Sequence, residues 1–147
     1  MLGVAWDEAR LERAGPATEV TRSAQAALER ALPGRPVLVV AKSLGTLALP
    51  WAVENGLSGA WLTPLLQDET VVAAVERARP ATLLVGGSAD PHWRRLPDTG
   101  SGVDWLELPD ADHGLQRAGD WRQSLLEQIP VFDRVSRLAS EVVRVHR

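Results

Sequence analysis

The sequence contains no cysteine, which excludes disulfides, thiolate nucleophiles and zinc or iron–sulfur sites built on cysteine. Any covalent nucleophile must therefore be an oxygen or an amine. Long apolar runs are missing as well, since no stretch approaches the ~18 residues that a membrane-spanning helix needs. Residues 1–8 have no basic start and reach acidic residues at once. We therefore expect no signal peptide and no membrane partner, and we place the chain in the cytoplasm.

The chain also lacks an excess of positive charge. Its 16 basic and 19 acidic residues give a net charge of -3, which provides no field to attract a nucleic acid. The arginines near the C-terminus are spread along a predicted helix, and we interpret them as a solvent-exposed face. A chain of 147 residues fits one domain, 1–147, with a sizeable core.

Short apolar runs alternate with segments of helical period along the whole chain. This alternation predicts an α/β fold with a mostly parallel sheet of about five strands and helices on both faces. The predicted strands cover residues 2–6, 37–41, 60–63, 82–86 and 103–108. The first three predicted helices cover, approximately, residues 20–31, 45–55 and 68–80, the third with Asp68 as its N-cap.

The last predicted helix has two candidate starts, which the pattern leaves open. Ser124 opens a segment of capping-box form, whereas Pro130 suits the first turn of a helix. The predicted buried stripe of this helix comprises Ile129, Phe132, Val135, Leu138 and Val142.

The most informative segment is 37–46, where an apolar run leads directly into Ser43. Ala41 and Gly45 flank Ser43 at two residues on each side, the small-x-Ser-x-small form of a nucleophile elbow. Such a turn raises the serine hydroxyl above the sheet and lets the Leu44 N–H point at a developing oxyanion. An ordinary turn is the alternative. A phosphate-binding loop is excluded because its upstream glycines are missing.

A serine nucleophile needs a base, and that base needs a carboxylate to orient it. Asp90 follows the predicted strand 82–86 and His113 follows the predicted strand 103–108. Three suitable residues thus come after three strands in the chain order Ser, Asp, His. Taken singly, Asp90 before Pro91 also suits a turn, and His113 also suits an exposed loop.

A metal site is the competing interpretation of the histidine loop. Asp110, Asp112 and His113 could provide ligands, but their spacing matches no strong metal motif and a further ligand is not evident. We therefore assign no metal ligand and no cofactor to this sequence.

Four segments together resemble the α/β-hydrolase superfamily, in particular its small, lidless esterases and dienelactone-hydrolase-like members. They are AKSLG (41–45), WLTPLL (61–66), GGSADPHW (86–93) and DADHGL (110–115), and the likeness covers nearly the whole chain. The resemblance implies Ser43 as nucleophile, Asp90 as acid, His113 as base and the Leu44 N–H as one oxyanion donor. It implies no cofactor.

Two features depart from the pattern of that superfamily. Met1 opens on what resembles a later strand, so we expect the fold to lack an upstream strand and oxyanion loop, on the order of thirty residues. Loss of one oxyanion donor typically costs ~10²–10³ in rate, so weak activity is expected. Pro50 lies inside the predicted helix 45–55, which is therefore either kinked or differently bounded.

The absent strand would leave an apolar edge on strand 37–41 unless residues 2–6 or another chain cover it. We therefore expect a homo-oligomer formed through this exposed edge of the sheet.

Two functions follow from these expectations. The first is hydrolysis of a small carboxylic ester or thioester through an acyl-enzyme, with a rate that rises with pH because the imidazole must be neutral. The second is a weak or inactive hydrolase-fold protein retained as an interaction or scaffold module. Trp51, Trp61 and Trp93 are interpreted as core residues or as the lining of an acyl pocket.

Overall fold

The computed structural model describes residue 3 and residues 8–31, 33–79 and 81–146. Nearly all of the predicted strand 2–6 lies outside the described residues. Within them, the chain forms a four-stranded parallel sheet whose strands are ordered as along the chain. The strands are β1 (Leu38–Lys42), β2 (Ser58–Leu62), β3 (Thr82–Gly87) and β4 (Val103–Leu108). The predicted α/β class is confirmed, with four strands described in place of about five.

Helices cover both faces of the sheet, as the alternation of elements predicts. They are α1 (Glu8–Ala14), α2 (Pro16–Glu29), a 3₁₀ helix (Ser43–Ala48), α3 (Leu49–Glu54), α4 (Glu69–Arg77) and α5 (Trp121–Val145). The sequence does not predict α1, because Leu11 is its one large apolar side chain and no stripe forms. None of the described helices is long and apolar enough to cross a membrane.

Each face of the sheet has its own apolar core, because successive strand residues point to opposite faces. Buried members of the first core, under α2, α3 and α4, include Val20, Leu49, Trp61, Val71 and Leu84. Buried members of the second core, under α5, include Leu83, Val85, Leu108, Leu138 and Val142. Every residue of β3 is buried, as expected for a strand covered on both faces.

The N-terminus of α4 lies where the sequence predicts it. The Asp68 carboxylate accepts hydrogen bonds from the N–H groups of Thr70 (2.9 Å) and Val71 (3.1 Å). The Thr70 hydroxyl also donates to this carboxylate, and this bond is the main cause that lowers the pKa of Asp68 below its ordinary value. Asp68 is therefore a formed N-cap.

The single helix predicted over 45–55 is wrong, and Pro50 explains why. The chain leaves β1 as the 3₁₀ helix and becomes α-helical only at Leu49, so that Pro50 lies in the first turn of α3. A first-turn N–H has no intrahelical acceptor, so proline costs nothing there. Of the two alternatives for Pro50, the displaced boundary is correct and the kinked helix is not.

Both predicted starts of the last helix, Ser124 and Pro130, are also wrong. The helix α5 begins at Trp121, and the carboxylate of Asp120 caps it by accepting a hydrogen bond from the Gln123 N–H (2.8 Å). Pro130 lies inside α5, where proline removes one helix hydrogen bond. Asp120 and Gln123 have the spacing of a capping box, and Trp121, Leu125 and Ile129 follow at helical spacing, so the sequence does carry a start signal before Ser124.

The predicted buried stripe of α5 is correct only in its second half. Val135, Leu138 and Val142 pack on the sheet together with Val131, at spacings of a helical face. Ile129 and Phe132 are instead 51% and 66% exposed. The helix carries two adjacent apolar stripes, and periodicity alone cannot tell which one faces the sheet.

We predict that Asp120→Ala lowers the free energy of unfolding by about 1 kcal/mol, because the first turn of α5 loses its side-chain acceptor. Urea unfolding measures the change. Asp133→Ala, which removes an exposed carboxylate from the middle of the same helix, is the matched control and should leave the midpoint nearly unchanged. An equal loss in both variants would contradict the assignment of the cap.

Candidate functional site

The three residues expected to act together lie beyond the carboxyl ends of three strands. Ser43 directly follows β1, Asp90 lies in the loop after β3, and His113 lies in the loop after β4. Because parallel strands end at one edge of a sheet, their loops meet there. The structure brings the three side chains together: His113 Nε2 lies 2.8 Å from Ser43 Oγ, and His113 Nδ1 lies 2.8 Å from Asp90 Oδ2.

Ser43 occupies a strained turn. Its φ is 50°, in the left-handed region that residues with a side chain rarely adopt. The residue before it is extended and the 3₁₀ helix begins with it, so the chain changes from strand to helix within one residue. Gly45 is buried at this turn, as the small-residue pattern requires. Strain of this kind persists only where surrounding contacts over-determine the conformation.

Asp90 is 3% exposed and uses both carboxylate oxygens. Oδ2 faces the His113 ring, and Oδ1 accepts the backbone N–H of His92 at 2.9 Å. A carboxylate can be buried only when such partners replace water. The residue does form a turn before Pro91, as the simpler interpretation holds, but its side chain is aimed at the imidazole.

The His113 loop is held by the carboxylate of Asp112. Asp112 Oδ1 accepts hydrogen bonds from the N–H groups of Gly114 (2.7 Å) and Gln116 (3.0 Å). The Asp112 N–H in turn donates to the Gln116 carbonyl at 2.9 Å. This turn fixes the backbone on both sides of His113 and so directs its ring.

Arg117 anchors the end of the same loop to α5. Its Nη2 lies 3.3 Å from Asp110 Oδ2 and 3.1 Å from Glu127 Oε1. The Arg117 backbone N–H donates to Ser124 Oγ at 2.8 Å, and this hydroxyl donates to the Asp120 carbonyl at 2.7 Å, so Ser124 ties the loop to the first turn of the helix. Neither Arg117 nor Glu127 is identifiable from the sequence, because they carry no motif and lie on separate elements.

The interpretation of Asp110, Asp112 and His113 as metal ligands finds no geometric support. Asp110 pairs with Arg117, Asp112 binds backbone N–H groups, and His113 faces Asp90. In the part of the chain that the structure describes, no group of three or more such side chains could hold a metal ion.

Two glycines at the end of β3 let the loops of the site approach each other. A Cβ on Gly86 would lie 2.0 Å from the Trp93 ring, and a Cβ on Gly87 would lie 2.0 Å from the Ala111 carbonyl oxygen. His92 contributes a further contact, because its ring meets the His113 ring edge-on with centroids 5.7 Å apart. The pair Gly86–Gly87 was a sequence signal for this close approach, whereas the ring contact of His92 was not.

The three tryptophans do not share one role. Trp51 and Trp61 are buried in the first core. Trp93 is half-buried, donates from Nε1 to Glu107 Oε2 at 2.7 Å, and packs edge-on against Trp105. The core interpretation therefore holds for Trp51 and Trp61.

The sequence matches no protein-family model and no curated protein. Among solved structures, the chain is similar to one described as an alpha-beta serine hydrolase homologue from Coxiella burnetii, with a TM-score of 0.58 and 14% identity. The similarity covers 88% of this chain and 59% of that chain. At this identity the likeness shows the fold alone, which is α/β-hydrolase-like, as the sequence resemblance implies.

We predict that Gly87→Ala destabilises the protein by about 1–3 kcal/mol, the usual cost of overpacking, because the new methyl group meets backbone of the His113 loop. Urea unfolding measures this loss. Gly3→Ala is the control. Its Cβ would meet nothing within 4 Å, so almost no loss is expected. An equal loss of unfolding free energy in both variants would contradict the view that the close contact between Gly87 and the His113 loop excludes a side chain.

Proposed function

We propose that this protein is a serine hydrolase that cleaves a small carboxylic ester or thioester through an acyl-enzyme. One observation carries the proposal: Ser43 Oγ, the His113 ring and the Asp90 carboxylate form one row, with 2.8 Å at each step. Each of the three residues has an ordinary structural role when it is considered alone. A chance arrangement does not account for both hydrogen bonds to one imidazole.

The row provides the proton transfers that acyl transfer needs. Asp90 accepts the Nδ1–H of His113, which leaves the lone pair of Nε2 directed at the Ser43 hydroxyl. As Ser43 Oγ attacks the carbonyl carbon, its proton moves to Nε2. The carbonyl oxygen becomes an oxyanion, and the N–H of Leu44 is the donor assigned to it.

The second half of the reaction uses the same groups. Collapse of the tetrahedral intermediate breaks the bond to the alcohol or thiol, which leaves with the proton from His113 Nε2. Water then attacks the acyl carbon while His113 takes one of its protons. The second collapse releases the carboxylic acid and returns the proton to Ser43 Oγ. No cofactor takes part in these steps.

The surroundings of Asp90 support its part in this cycle. Its carboxylate is almost fully buried and is stabilised by the N–H of His92, so it stays ready to balance the charge of a protonated His113. Burial also strengthens the electrostatic attraction, because little water screens it.

We predict that a fluorophosphonate probe labels the protein covalently and that Ser43→Ala abolishes the labelling. His113→Ala should slow labelling by roughly 10²–10⁴-fold, the usual contribution of a general base. Ser101→Ala, which removes an exposed hydroxyl outside the site, is the matched control and should be labelled like the unchanged protein. Intact-mass spectrometry follows the reaction.

The result also decides between this function and its alternative. Labelling that is abolished in Ser43→Ala, slowed in His113→Ala and kept in Ser101→Ala supports the hydrolase. A well-folded protein that no probe labels would instead be an inactive hydrolase-fold interaction module, the second function expected from the sequence.

We further propose that the protein self-associates through the edge of β1. Among the described strands, β1 pairs with β2 alone, so none of them covers the N–H and carbonyl groups of its other edge. Val40 in this strand is 57% exposed, although a strand residue of this type is normally covered. Such an edge favours pairing with another chain.

We predict a dimer or larger oligomer in multi-angle light scattering, and a shift towards monomer in Val40→Lys, since a charge on an edge strand opposes pairing. Val143→Lys, on an exposed position of α5, is the matched control and should keep the oligomer. A stable monomer of the unchanged protein with full activity would contradict self-association and would leave the proposed hydrolysis intact.

A further inference from the structure

The hydroxyl of Thr46 connects the serine turn to a second segment of the site. Thr46 lies in the 3₁₀ helix and is 0% exposed. Its Oγ1 donates a hydrogen bond to the Ser43 carbonyl oxygen at 2.6 Å and accepts one from the Leu65 N–H at 3.2 Å. Because Thr46 is fully buried, these two bonds meet the hydrogen-bonding needs of a hydroxyl that water does not reach.

The carbonyl oxygen that Thr46 holds belongs to the same peptide unit as the Leu44 N–H. A peptide unit is planar and trans, so its carbonyl and its N–H point in opposite directions and turn together. Fixing the Ser43 oxygen therefore fixes the direction of the Leu44 N–H. That N–H is the oxyanion donor of the proposed reaction.

This peptide unit needs support from outside the turn. Ser43 has a φ of 50°, which is unfavourable for a residue with a side chain, so local preferences do not hold the turn in place. Hydrogen bonds within the short 3₁₀ helix move with the turn. The bond from Leu65 differs, because it comes from the segment that follows β2.

The segment after β2 is itself firmly attached to the sheet. Thr63 is buried, and its N–H donates to the Val85 carbonyl of β3 at 2.6 Å. Leu65 follows two residues later and donates to Thr46. A continuous connection thus runs from the centre of the sheet through the Thr46 hydroxyl to the Ser43–Leu44 peptide.

We infer that Thr46 is a positioning residue, whose hydroxyl orients the Leu44 N–H towards the oxyanion. The inference rests on the proposed function and adds a residue that touches neither the substrate nor His113. Its contribution is made in the transition state, where the negative charge on the oxygen develops. It should therefore affect kcat far more than KM.

The test compares Thr46→Val, which keeps the shape and removes both hydrogen bonds, with Thr46→Ser, which keeps the hydroxyl. With p-nitrophenyl acetate we expect Thr46→Val to lower kcat roughly 10- to 100-fold, a part of the ~10²–10³ that a complete donor contributes. KM should change little, and Thr46→Ser should keep most of the rate. Thr70→Val, which removes another side-chain hydroxyl that donates a hydrogen bond, is the matched control and should keep the full rate.

A second substrate separates positioning of the donor from general damage to the fold. In the thionoester of the same acid and alcohol, sulfur replaces the carbonyl oxygen and accepts hydrogen bonds only weakly. If Thr46 acts through the Leu44 N–H, Thr46→Val slows the oxygen ester much more than the thionoester. Equal slowing of both substrates would overturn the inference, and so would an unchanged kcat.

The outcomes for the inference and for the proposed function remain distinct. If the unchanged protein neither hydrolyses the ester nor reacts with a fluorophosphonate, the proposed function fails, and the inference fails with it. If the unchanged protein is active and Thr46→Val is equally active, only the role of Thr46 fails. If Thr46→Val does not fold, Thr46→Ala replaces it, because it removes the same hydroxyl with a smaller side chain. Thr46→Ala should likewise slow the oxygen ester much more than the thionoester.

Discussion

The hydrogen bond between the His113 ring and the buried Asp90 carboxylate is the constraint on which the site depends. A carboxylate that is 3% exposed must find partners inside the protein, so the loop after β3 and the loop after β4 are held against each other. Gly87 makes this contact possible, because a side chain there would strike the Ala111 carbonyl. With Nδ1 engaged by Asp90, Nε2 is left to face Ser43. The Asp90 carboxylate therefore determines that Nδ1 is the donor and Nε2 the proton acceptor. The chemistry that we propose depends on these two roles.

The parallel sheet determines where the three site residues lie. Three parallel strands deliver Ser43, Asp90 and His113 to one edge, and only short loops must then be shaped. Asp112 and Arg117 shape the histidine loop, while Thr46 supports the strained serine turn. The likeness to a solved serine hydrolase homologue establishes the fold alone, since many activities share one architecture. The case for hydrolysis rests on the side chains.

Much of the fold and the meeting of the site residues could be predicted from the sequence, because both depend on strong local patterns. Buried strands such as β3 are continuous apolar runs, and Asp68 is a recognisable cap. What could not be predicted depends on tertiary contacts. The sequence of α5 contains two similar apolar stripes, and its periodicity does not show which of them faces the sheet. The stripe that includes Phe132 is the exposed one. Thr46 has no motif, since its role comes from Leu65, which is distant along the chain.

The central claim is that Asp90 acts on Ser43 only through His113, and a double-mutant cycle on the rate of fluorophosphonate labelling tests it most directly. Asp90→Ala, His113→Ala and the double variant are compared with the unchanged protein at equal folded concentration. Residues that act as one unit are strongly non-additive. We therefore predict that Asp90→Ala slows labelling in the unchanged protein but causes almost no further loss once His113 is absent. Fully additive losses would contradict the claim, because Asp90 and His113 would then act independently.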